Sequence, residues 1–573
     1  MTKTLSLIAF AATLVINAQT PSFQWAKDLA ITSGQNDGWA VVTDKFGNVY
    51  TTGRFNAITD FDPGPGTYTL DPGSFSSPSF LNAIFVSKLD VNGNFVWAKS
   101  IPNIAGFPAS ICLDKSGNVY TSGQFSGTGD FDPGPSNHTL TSYAKDLYVW
   151  KLDNNGNFLW AKNPNGEYFE MADGIVTDLN GNVYTTGYIQ SVVDFDPGPG
   201  VFNLGAKYKS ALFVLKLDSL GNFVWAKLSS SVDYGQYRQS IAIDPSGNIY
   251  STGVMWGLTD VDPGPAVVNI WSWGLSDPFI SKLTTNGNFV WANSFGGAKE
   301  DYPTSIAIDK QLNVYCTGYF SGTMNYNINQ QNNTISSAGG KDIFISKIDP
   351  NGNILWIKAM GGPLDDGGNS IRIDSLSNIH LTGTFQGTSD FDPGSGIANL
   401  TAEGTNGVDD IFISKLDQHG NFVWAKKIGG PSNDIAWSNA VDVVGNILVT
   451  GYFNDTVDFD PNAGVTNLSA SPNTHRTFLL KLRDPLSVGI SKNSMDGSIH
   501  IYPNPTSGIT QLEFQNPKTE IKVEIYDSMG KLLQSSKLMR QDTSINLSNL
   551  ATGFYYLKIF DSESVSLHKI FKE

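Results

Sequence analysis

One short motif, Asn-Phe-Val-Trp-Ala-Lys, recurs with small changes along most of this 573-residue chain. Its tryptophans follow one another at steps of 63 to 72 residues and are Trp25, Trp97, Trp160, Trp225, Trp291, Trp356 and Trp424. A nearly constant period of this kind is typical of repeated supersecondary units, each of which buries its apolar face against its neighbours. The repeat therefore restricts the chain to a row or a ring of similar units.

Each unit carries the same strand signals in the same order. An apolar run ends in Asp, a Gly-Asn turn opens a second strand such as 49–53, a third strand such as 85–89 follows, and an Asn-Gly turn leads into the Trp strand. Strict alternation places Phe95 and Trp97 on one face of that strand and Val96 on the other, which predicts a strand buried on both faces. Four-stranded sheets packed face to face around an axis are propeller blades, so we expect an all-β fold with a β-propeller.

The number of units predicts seven blades and a specific way of closing the ring. Strands that end in Lys-Leu or Lys-Ile begin at Phe85, Tyr148, Phe213, Phe279, Phe344, Phe412 and Phe478. The Trp strands are offset, because the one around Trp25 precedes the first complete unit and none follows the last Lys-Leu strand at 478–482. We therefore expect the Trp25 strand to complete the seventh blade, which removes an exposed sheet edge.

Composition fits a turn-rich β protein and argues against one class of partner. The chain has 58 glycines and 27 prolines, and only 16% of its residues are charged. Its formal net charge is −16. Nucleic-acid binding needs clustered Lys and Arg to neutralise phosphates, so this charge balance predicts no nucleic-acid partner.

The N-terminus predicts export. Residues 1–18 are typical of a secretory signal peptide, with Lys3 in the positive region, an apolar stretch over 5–16 and Ala18 before the expected cleavage site. The apolar stretch is too short to span a bilayer, and no other segment reaches that length, so we expect no transmembrane span.

The two cysteines, Cys112 and Cys316, are predicted to be free thiols. They fall in the second and fifth predicted blades. Blades that far apart cannot bring two Cα atoms to disulfide distance.

The last 90 residues have a different pattern. Residues 485–497 carry no repeat landmark and are predicted to be a linker. From residue 498 to residue 573, alternating strands and Asp/Gly turns predict a small β-sandwich. We therefore expect two folded parts, the propeller over 19–484 and the tail over 498–573.

The tail resembles the C-terminal sorting domain of the type IX secretion system of Bacteroidetes. The matching features are Tyr502-Pro503-Asn504-Pro505, the segment 527–531, the segment 547–557 and the closing Lys572. The resemblance implies export to the periplasm and then passage across the outer membrane, with the secretion machinery and its sortase as partners. It also implies release or anchoring to surface lipopolysaccharide, so the expected location is secreted or on the outer cell surface.

The repeats resemble the bacterial β-propeller repeats called SBBP repeats. The matching segments are of the Gly-Asn-Val-Tyr-Thr-Thr-Gly and Lys-Leu-Asp…Gly-Asn-Phe-Val-Trp types, over roughly residues 22–484. This resemblance implies the fold and no particular activity.

One loop, Asp-Phe-Asp-Pro-Gly-Pro and its variants, is a candidate calcium site. Two carboxylates two residues apart lie on one side of an extended strand, and carboxylate oxygens suit Ca²⁺. The alternative is that each Asp caps a turn that every blade needs. The candidate ligands are Asp60, Asp62, Asp130, Asp132, Asp194, Asp196, Asp390, Asp392, Asp458 and Asp460, whereas the fifth unit has Asn325 and Asn327 instead.

A second candidate site lies where units depart from the pattern. Trp256, Trp271 and Trp273 accompany the loop of the fourth unit, and Tyr237 follows the Trp strand of the third. Aromatic side chains flanked by polar groups suit sugar rings. The alternative is that these residues fill an irregular seam between blades.

The sequence carries no recognisable catalytic motif and predicts no cofactor other than the candidate calcium. It lacks Gly-x-Ser-x-Gly, His-Glu-x-x-His and a phosphate-binding Gly loop. We therefore expect a secreted or cell-surface module that binds a ligand or mediates adhesion without catalysis, with surface glycans or lipopolysaccharide as candidate partners. The alternative is an extracellular propeller enzyme that acts on polysaccharide.

Overall fold

The computed structural model describes residues 20–31, 34–74, 82–205, 210–232, 239–328, 331–404, 407–471, 474–484, 499–514, 520–527, 532–539, 544–560 and 565–573. The predicted signal peptide, the predicted linker and Tyr237 lie outside this part of the chain. The described elements are all strands. Accordingly, no described helix is long and apolar enough to cross a membrane.

The first 24 strands are short and lie in quick succession along the chain. They are β1 (Ser22–Asp28), β2 (Ala30–Ile31), β3 (Asn36–Thr43), β4 (Val49–Phe55), β5 (Thr59–Asp60), β6 (Thr69–Leu70), β7 (Ala83–Leu89), β8 (Phe95–Ile101), β9 (Ile104–Leu113), β10 (Val119–Asp130), β11 (Thr139–Leu152), β12 (Phe158–Lys162), β13 (Asn165–Gly166), β14 (Glu170–Thr177), β15 (Val183–Ile189), β16 (Val193–Asp194), β17 (Asn203–Leu204), β18 (Ser210–Leu217), β19 (Phe223–Val232), β20 (Ser240–Ile243), β21 (Ile249–Met255), β22 (Leu258–Asp260), β23 (Asn269–Trp271) and β24 (Asp277–Leu283).

The second 24 strands continue the pattern and end in the tail. They are β25 (Phe289–Ser294), β26 (Gly296–Gly297), β27 (Tyr302–Ile308), β28 (Val314–Ile328), β29 (Gln331–Ile348), β30 (Ile354–Met360), β31 (Gly367–Ile373), β32 (Ile379–Phe385), β33 (Thr388–Asp390), β34 (Asn399–Thr401), β35 (Asp410–Leu416), β36 (Phe422–Ile428), β37 (Ile435–Val441), β38 (Asn446–Phe453), β39 (Thr456–Asp458), β40 (Asn467–Ser469), β41 (Arg476–Arg483), β42 (Ile499–Tyr502), β43 (Ile509–Phe514), β44 (Glu520–Tyr526), β45 (Leu532–Met539), β46 (Ser544–Asn546), β47 (Gly553–Phe560) and β48 (Val565–Lys572).

Seven antiparallel sheets make up the described repeat region. Named from inner to outer strand, they are sheet I (β3-β4-β7-β8), sheet II (β9-β10-β11-β12), sheet III (β14-β15-β18-β19), sheet IV (β20-β21-β24-β25), sheet V (β27-β28-β29-β30, with β26 also on β28), sheet VI (β31-β32-β35-β36) and sheet VII (β37-β38-β41-β1). The short strands between them form hairpins such as β22-β23 and β33-β34. The expectation of an all-β fold with propeller-type sheets is confirmed.

The inner strands contact one another in order around the array. Strand β3 contacts β9, and the contacts continue through β14, β20, β27, β31 and β37, which contacts β3 again. Sheet VII contains both ends of the repeat region, because β1 lies antiparallel to β41 with Trp25 opposite Lys481. An apolar cluster that includes Val41 and Leu448 joins sheet VII to sheet I.

A repeated polar contact joins five of the seven pairs of neighbouring sheets, on the side of the hairpin turns. We call the contact region between two neighbouring sheets a seam. In five seams the Trp Nε1–H and the Lys Nζ of one sheet donate to one backbone carbonyl oxygen in the outer turn of the next sheet. The distances are 3.0–3.4 Å for Trp and 2.9–3.5 Å for Lys. The acceptors are Val91, Asn154, Ser219, Thr285 and Pro350. Between sheets VI and VII, Trp424 and Lys415 donate instead to the carboxylate of Asp484.

The hairpin turns follow the predicted Asp-x-x-Gly-Asn pattern. In sheet I, Asp44 Oδ1 accepts the backbone N–H groups of Phe46 and Asn48, at 2.9 and 3.0 Å. Gly47 has φ of 82°, the left-handed conformation that favours glycine. In sheets I to V a tyrosine such as Tyr50 donates its hydroxyl to the same Asp at 2.9–3.3 Å, which fixes the turn to the second strand.

The predicted orientation of the Trp strand is wrong. Trp97 packs into the cluster between sheets I and II, whereas Phe95 packs on the other side, with Phe85 and the hairpin loop. The register shifts between these two residues, because Lys88 pairs with Trp97 and Leu89 with Phe95. Val96 is therefore the extra residue of a β-bulge and is 46% exposed, and the bulge reverses the alternation that the sequence suggested.

The tail consists of two sheets around one apolar cluster. Their strand orders are β42-β43-β46 and β45-β44-β47-β48. Leu512, Val523 and Leu557 contribute to the cluster from both sheets. Two packed antiparallel sheets of this size agree with the predicted small β-sandwich.

The two cysteines are free thiols, as the sequence predicted. Cys112 lies in β9 of sheet II and Cys316 in β28 of sheet V. Burial raises the pKa of the Cys316 thiol to about 12, so this thiol is protonated at neutral pH.

Trp424→Ala should destabilise the protein more than Trp225→Ala. Trp424 is 2% exposed and donates to Asp484, whereas Trp225 is half-buried. We expect a loss of about 3–5 kcal/mol for Trp424→Ala, because a buried cavity forms and a carboxylate loses a donor. Denaturant unfolding of both variants measures the difference, and equal losses would contradict the seam packing described above.

Candidate functional site

A cavity lies among the inner strands of the seven sheets, on the axis of the array. It has a volume of about 370 Å³ and is lined by residues from the inner strand or its flank in all seven sheets. This channel places side chains from widely separated parts of the chain around one space. A volume of this size is within the range of small-molecule sites.

Hydroxyl groups bridge neighbouring inner strands along the channel wall. Ser240 Oγ accepts the N–H of Ile306, and Ser305 Oγ accepts that of Ile371, both at 3.2 Å. Ser438 Oγ accepts the N–H of Val41 at 3.3 Å, across the seam between sheets VII and I. These bonds use backbone groups that the inner edge of each sheet would otherwise leave unpaired.

An aromatic cluster lines one end of the channel, opposite the hairpin turns. Trp39 stacks on Trp437 with ring centroids 4.8 Å apart and an interplanar angle of 12°. Phe107 lies 4.4 Å from Trp39, and the guanidinium carbon of Arg54 lies 5.6 Å from the Trp39 ring centroid. An ion pair of 2.9 Å with Asp37 neutralises Arg54. The sequence analysis missed this cluster, although Trp39 and Trp437 occupy the same position of their units and could have been found by aligning them.

The described channel lining carries two charged side chains, Asp173 and Arg372. Asp173 lies in β14, and its Oδ2 accepts the N–H of Gln239 at 3.3 Å. Arg372 lies in β31, and burial lowers the pKa of its guanidinium to about 10. An enzyme that cleaves polysaccharide with two carboxyls needs both on one substrate, whereas the described lining presents one carboxylate.

At three successive seams, a buried carboxyl of one sheet interacts with a buried carboxyl of the next sheet. Each pair combines an Asp at the start of the third strand or within it with an Asp just before the inner strand of the next sheet: Asp277 with Asp301, Asp342 with Asp366, and Asp410 with Asp434. The second Asp of each pair accepts a backbone N–H from the second Gly of a Gly-Gly segment four residues earlier, at 2.7, 2.7 and 2.8 Å. The sequence analysis missed these pairs, although Gly-Gly followed by Asp at this spacing recurs three times.

These carboxyls are poorly solvated, and their pKa values follow from that. Burial, together with the neighbouring Asp277, raises the pKa of Asp301 to about 7. Burial raises the pKa of Asp366 to about 7, and burial with the charges of Asp410 and Asp455 raises the pKa of Asp434 to about 8. The pairs therefore hold protons well above the pH at which an exposed carboxyl loses its own.

The Asp-Phe-Asp-Pro-Gly loops use their carboxylates to form turns. Asp60 Oδ1 accepts the N–H groups of Asp62 and Tyr68, at 3.0 and 2.8 Å, and Asp62 Oδ1 accepts that of Gly64 at 2.8 Å. The bonds recur around Asp130 and Asp132, Asp194 and Asp196, Asp390 and Asp392, and Asp458 and Asp460. This geometry gives each carboxylate a structural role, and calcium binding stays a prediction.

Another cluster contains residue types that bind metals, but a lysine ammonium group already lies beside its carboxylates. Asp374, His380 and Asp484 present ligand atoms within 4.8 Å of one another. Lys415 Nζ lies 3.8 Å from Asp374 and also pairs with Asp484. Burial opposes ionisation, but the hydrogen bond and charge of His380 and the charge of Lys415 hold the pKa of Asp374 below its usual range. His380 replaces the tyrosine of sheets I to V and contacts the turn Asp at 3.1 Å, so the cluster is explained as part of the seam.

The aromatic residues of sheet IV divide into two groups. Trp256 is partly buried and packs against the cluster between sheets III and IV. Trp271 and Trp273 belong to the hairpin region of β22 and β23 and are 63% and 46% exposed. The two exposed rings have the accessibility that a stacking site requires, whereas Trp256 fills the seam.

Trp271 also departs from a pattern that the other hairpins share. It lies opposite Leu258. At the same position, sheets II, V, VI and VII pair two hydroxyl side chains at 2.9–3.2 Å, namely Thr128 with Thr141, Thr323 with Ser336, Thr388 with Thr401, and Thr456 with Ser469. Sheet IV therefore exposes an apolar cross-strand pair where four other sheets expose a polar one.

Comparison with known families finds one match in the repeat region and one in the tail. A family described as "Secretion system C-terminal sorting domain" matches residues 500–573. A family described as "Beta-propeller repeat" matches residues 294–319. Both resemblances are confirmed, and the sorting domain points to export by the type IX secretion system, to the cell surface or beyond it.

Two curated relatives are similar over part of their length. An uncharacterized WD repeat-containing protein of Acanthamoeba polyphaga mimivirus is 25% identical over 498 residues, which cover 73% of this chain and 35% of that protein. The regulatory protein FlaEY of Caulobacter vibrioides is 22% identical over 251 residues, or 43% of this chain and 24% of that protein. The chain thus spans about a third or less of these relatives.

Solved structures with some likeness include a WD40 domain. The Pan2 WD40 domain of Neurospora crassa has a TM-score of 0.32 and 10% identity, covering 66% of this chain and 89% of that one. Sqt1 of Chaetomium thermophilum has a TM-score of 0.35 and 10% identity, covering 81% and 99%. A protein of unknown function from Bacteroides caccae has a TM-score of 0.29 and 9% identity, covering 60% and 89%.

The buried carboxyl pairs predict that stability falls as pH rises. A carboxyl whose pKa is raised in the folded state favours folding while it is protonated, so its contribution is full below the ordinary value near 3.8 and is lost as pH rises toward about 8. Melting temperatures between about pH 5 and pH 8 should therefore decrease with pH. Asp434→Asn should make the decrease shallower, and a slope identical to that of the parent protein would contradict the assignment.

Proposed function

We propose that this chain is an exported, non-catalytic binding module whose ligand is a surface or extracellular glycan. In this proposal residues 1–18 are a signal peptide, residues 19–484 form a closed seven-bladed ring, residues 485–497 are a linker and residues 498–573 direct passage through the type IX system. The observation that carries the binding role is the exposed Leu258–Trp271 pair beside Trp273.

The closed ring is supported by contacts between the two ends of the repeat region. Strand β1 pairs with β41, and the side chain of Arg476 pairs with Asp28 at 2.7 Å. A ring closed in this way presents its hairpins on a rigid rim. Rigid presentation lowers the entropic cost of binding.

The glycan class follows from the chemistry of the hairpin. An exposed indole offers a flat apolar surface for the C–H face of a pyranose ring, and nearby polar groups orient the sugar hydroxyls. The side-chain hydroxyl of Ser272, between Trp271 and Trp273, donates to the Gly274 carbonyl at 3.3 Å and accepts the N–H of Gly257 at 2.7 Å. These bonds support a fixed spacing of the two rings.

Leu258→Thr with Trp271→Thr tests the binding role, because it copies the hydroxyl pair of sheet VI. We expect glycan-array signals to fall about tenfold or more, since a stacking contact is lost, while the melting temperature stays nearly unchanged. Ile397→Thr, an exposed apolar residue on the sheet VI hairpin, is the matched control and should bind like the parent. Glycan binding that survives the double substitution would rule out this hairpin as the site.

Removal of residues 500–573 tests the export route. In a host with the type IX system, the shortened chain should accumulate in the periplasm, because the matched sorting domain is gone. Cell fractionation and protease accessibility of the full and shortened chains give the readout. A full chain expressed in a host that lacks the system is the control, and surface delivery of the shortened chain would contradict the proposal.

A further inference from the structure

Arg372 breaks the pattern of the channel wall. It occupies the inner-strand position two residues before the turn Asp of sheet VI. The other six sheets have small or apolar residues at this position, namely Val42, Cys112, Val176, Ala242, Ala307 and Ala440. A guanidinium at one of seven equivalent positions is not required by the fold, since six sheets form without it.

Most N–H donors of the Arg372 guanidinium are not used by the described protein groups. Its Nη1 donates to the backbone oxygen of Ile371 at 2.8 Å. Within the described parts of the chain, no carboxylate pairs with it. Arg54, at the aromatic end of the channel, by contrast forms an ion pair of 2.9 Å with Asp37. Four further N–H donors of Arg372 can therefore serve a ligand.

The surroundings make an anion the natural occupant. Burial lowers the pKa of Arg372 to about 10, which leaves the side chain charged at neutral pH. A cation held away from bulk water is costly unless an anion or polar groups compensate it. The planar guanidinium matches a carboxylate or phosphate group through two parallel hydrogen bonds.

The rest of the lining suits a small organic molecule. At the positions of other sheets that correspond to Arg372, the channel lining includes Val42, Val176 and Ala307, which are apolar. At the opposite end Trp39 and Trp437 offer aromatic surface. The volume of about 370 Å³ admits a ligand of the size of a monosaccharide acid.

We propose that the central channel is a binding site for a small molecule that carries a carboxylate or phosphate group, and that Arg372 binds this group. The site lies on the axis of the sheets, whereas the proposed glycan surface lies on the β22-β23 hairpin, so the two stand on separate observations. Binding at Arg372 stabilises the folded chain by mass action.

Thermal unfolding of the full chain tests the site with defined probes. Inorganic phosphate and glucuronate are compared with chloride at equal ionic strength, and glucose is the uncharged control. We expect the melting temperature to rise by about 2 °C with at least one of the two anions and not with glucose. A response to phosphate alone identifies a phosphate-type ligand, and a response to glucuronate alone identifies an acidic sugar or a similar carboxylate.

Two variants of Arg372 and one matched control assign the effect. Arg372→Ala copies the residue of sheets IV, V and VII, and Arg372→Gln keeps a polar side chain of similar length in case the first variant folds poorly. Both should lose the anion-dependent shift, whereas Lys310→Ala, which removes the same charge from an exposed turn, should retain it. A shift that persists without Arg372, or no shift of the parent chain with either anion, would overturn the proposal.

Discussion

The packing of neighbouring sheets depends on a backbone carbonyl oxygen that accepts two hydrogen bonds from the preceding sheet. An indole N–H and a lysine ammonium converge on one backbone oxygen in the outer turn of the next sheet, for example on Asn154 from Trp97 and Lys88. The turn is shaped by its own Asp and Gly, so the acceptor is in place before the neighbour arrives. In five of the seven seams one sheet supplies both donors and the next sheet supplies the acceptor, so the contact forms only between sheets that follow one another in this order.

Two of the seven seams depart from this contact. Between sheets V and VI, Lys347 alone among the described residues donates to the outer-turn carbonyl, which is that of Gln418. Between sheets VI and VII, Asp484 follows the third strand of sheet VII, and its carboxylate accepts from Trp424 and Lys415. A charged acceptor strengthens both bonds. Both donors of sheet VI are therefore paired at this seam, by a side-chain acceptor in place of a backbone carbonyl.

The sequence predicted the strands and turns because both depend on local patterns, and it predicted the partner of the Trp25 strand because the repeat count left one Trp strand over at the start and one vacancy at the end. The sequence predicted the wrong side for Val96, because a bulge depends on the pairing register of two strands. The alternating pattern of the sequence does not show it. Trp39 and Trp437 were missed because their contact joins the first and last sheets, and neither residue belongs to the conspicuous Trp motif. The exposed rings of Trp271 and Trp273 were anticipated because they interrupt the repeat, whereas Arg372 interrupts it just as clearly but lies in a strand that reads as ordinary core.

Sheet VII affects the rate of folding, because it contains strands from both ends of the repeat region. Arg476 and Asp28 pair although 448 residues separate them. In a chain that emerges from its N-terminus, β1 is among the first segments available and the last to find its place. Contacts of such long sequence separation slow folding and leave one strand edge exposed to proteases and to other chains in the meantime. A chain interrupted before β41 therefore lacks the partner strand of β1 and leaves that edge unpaired.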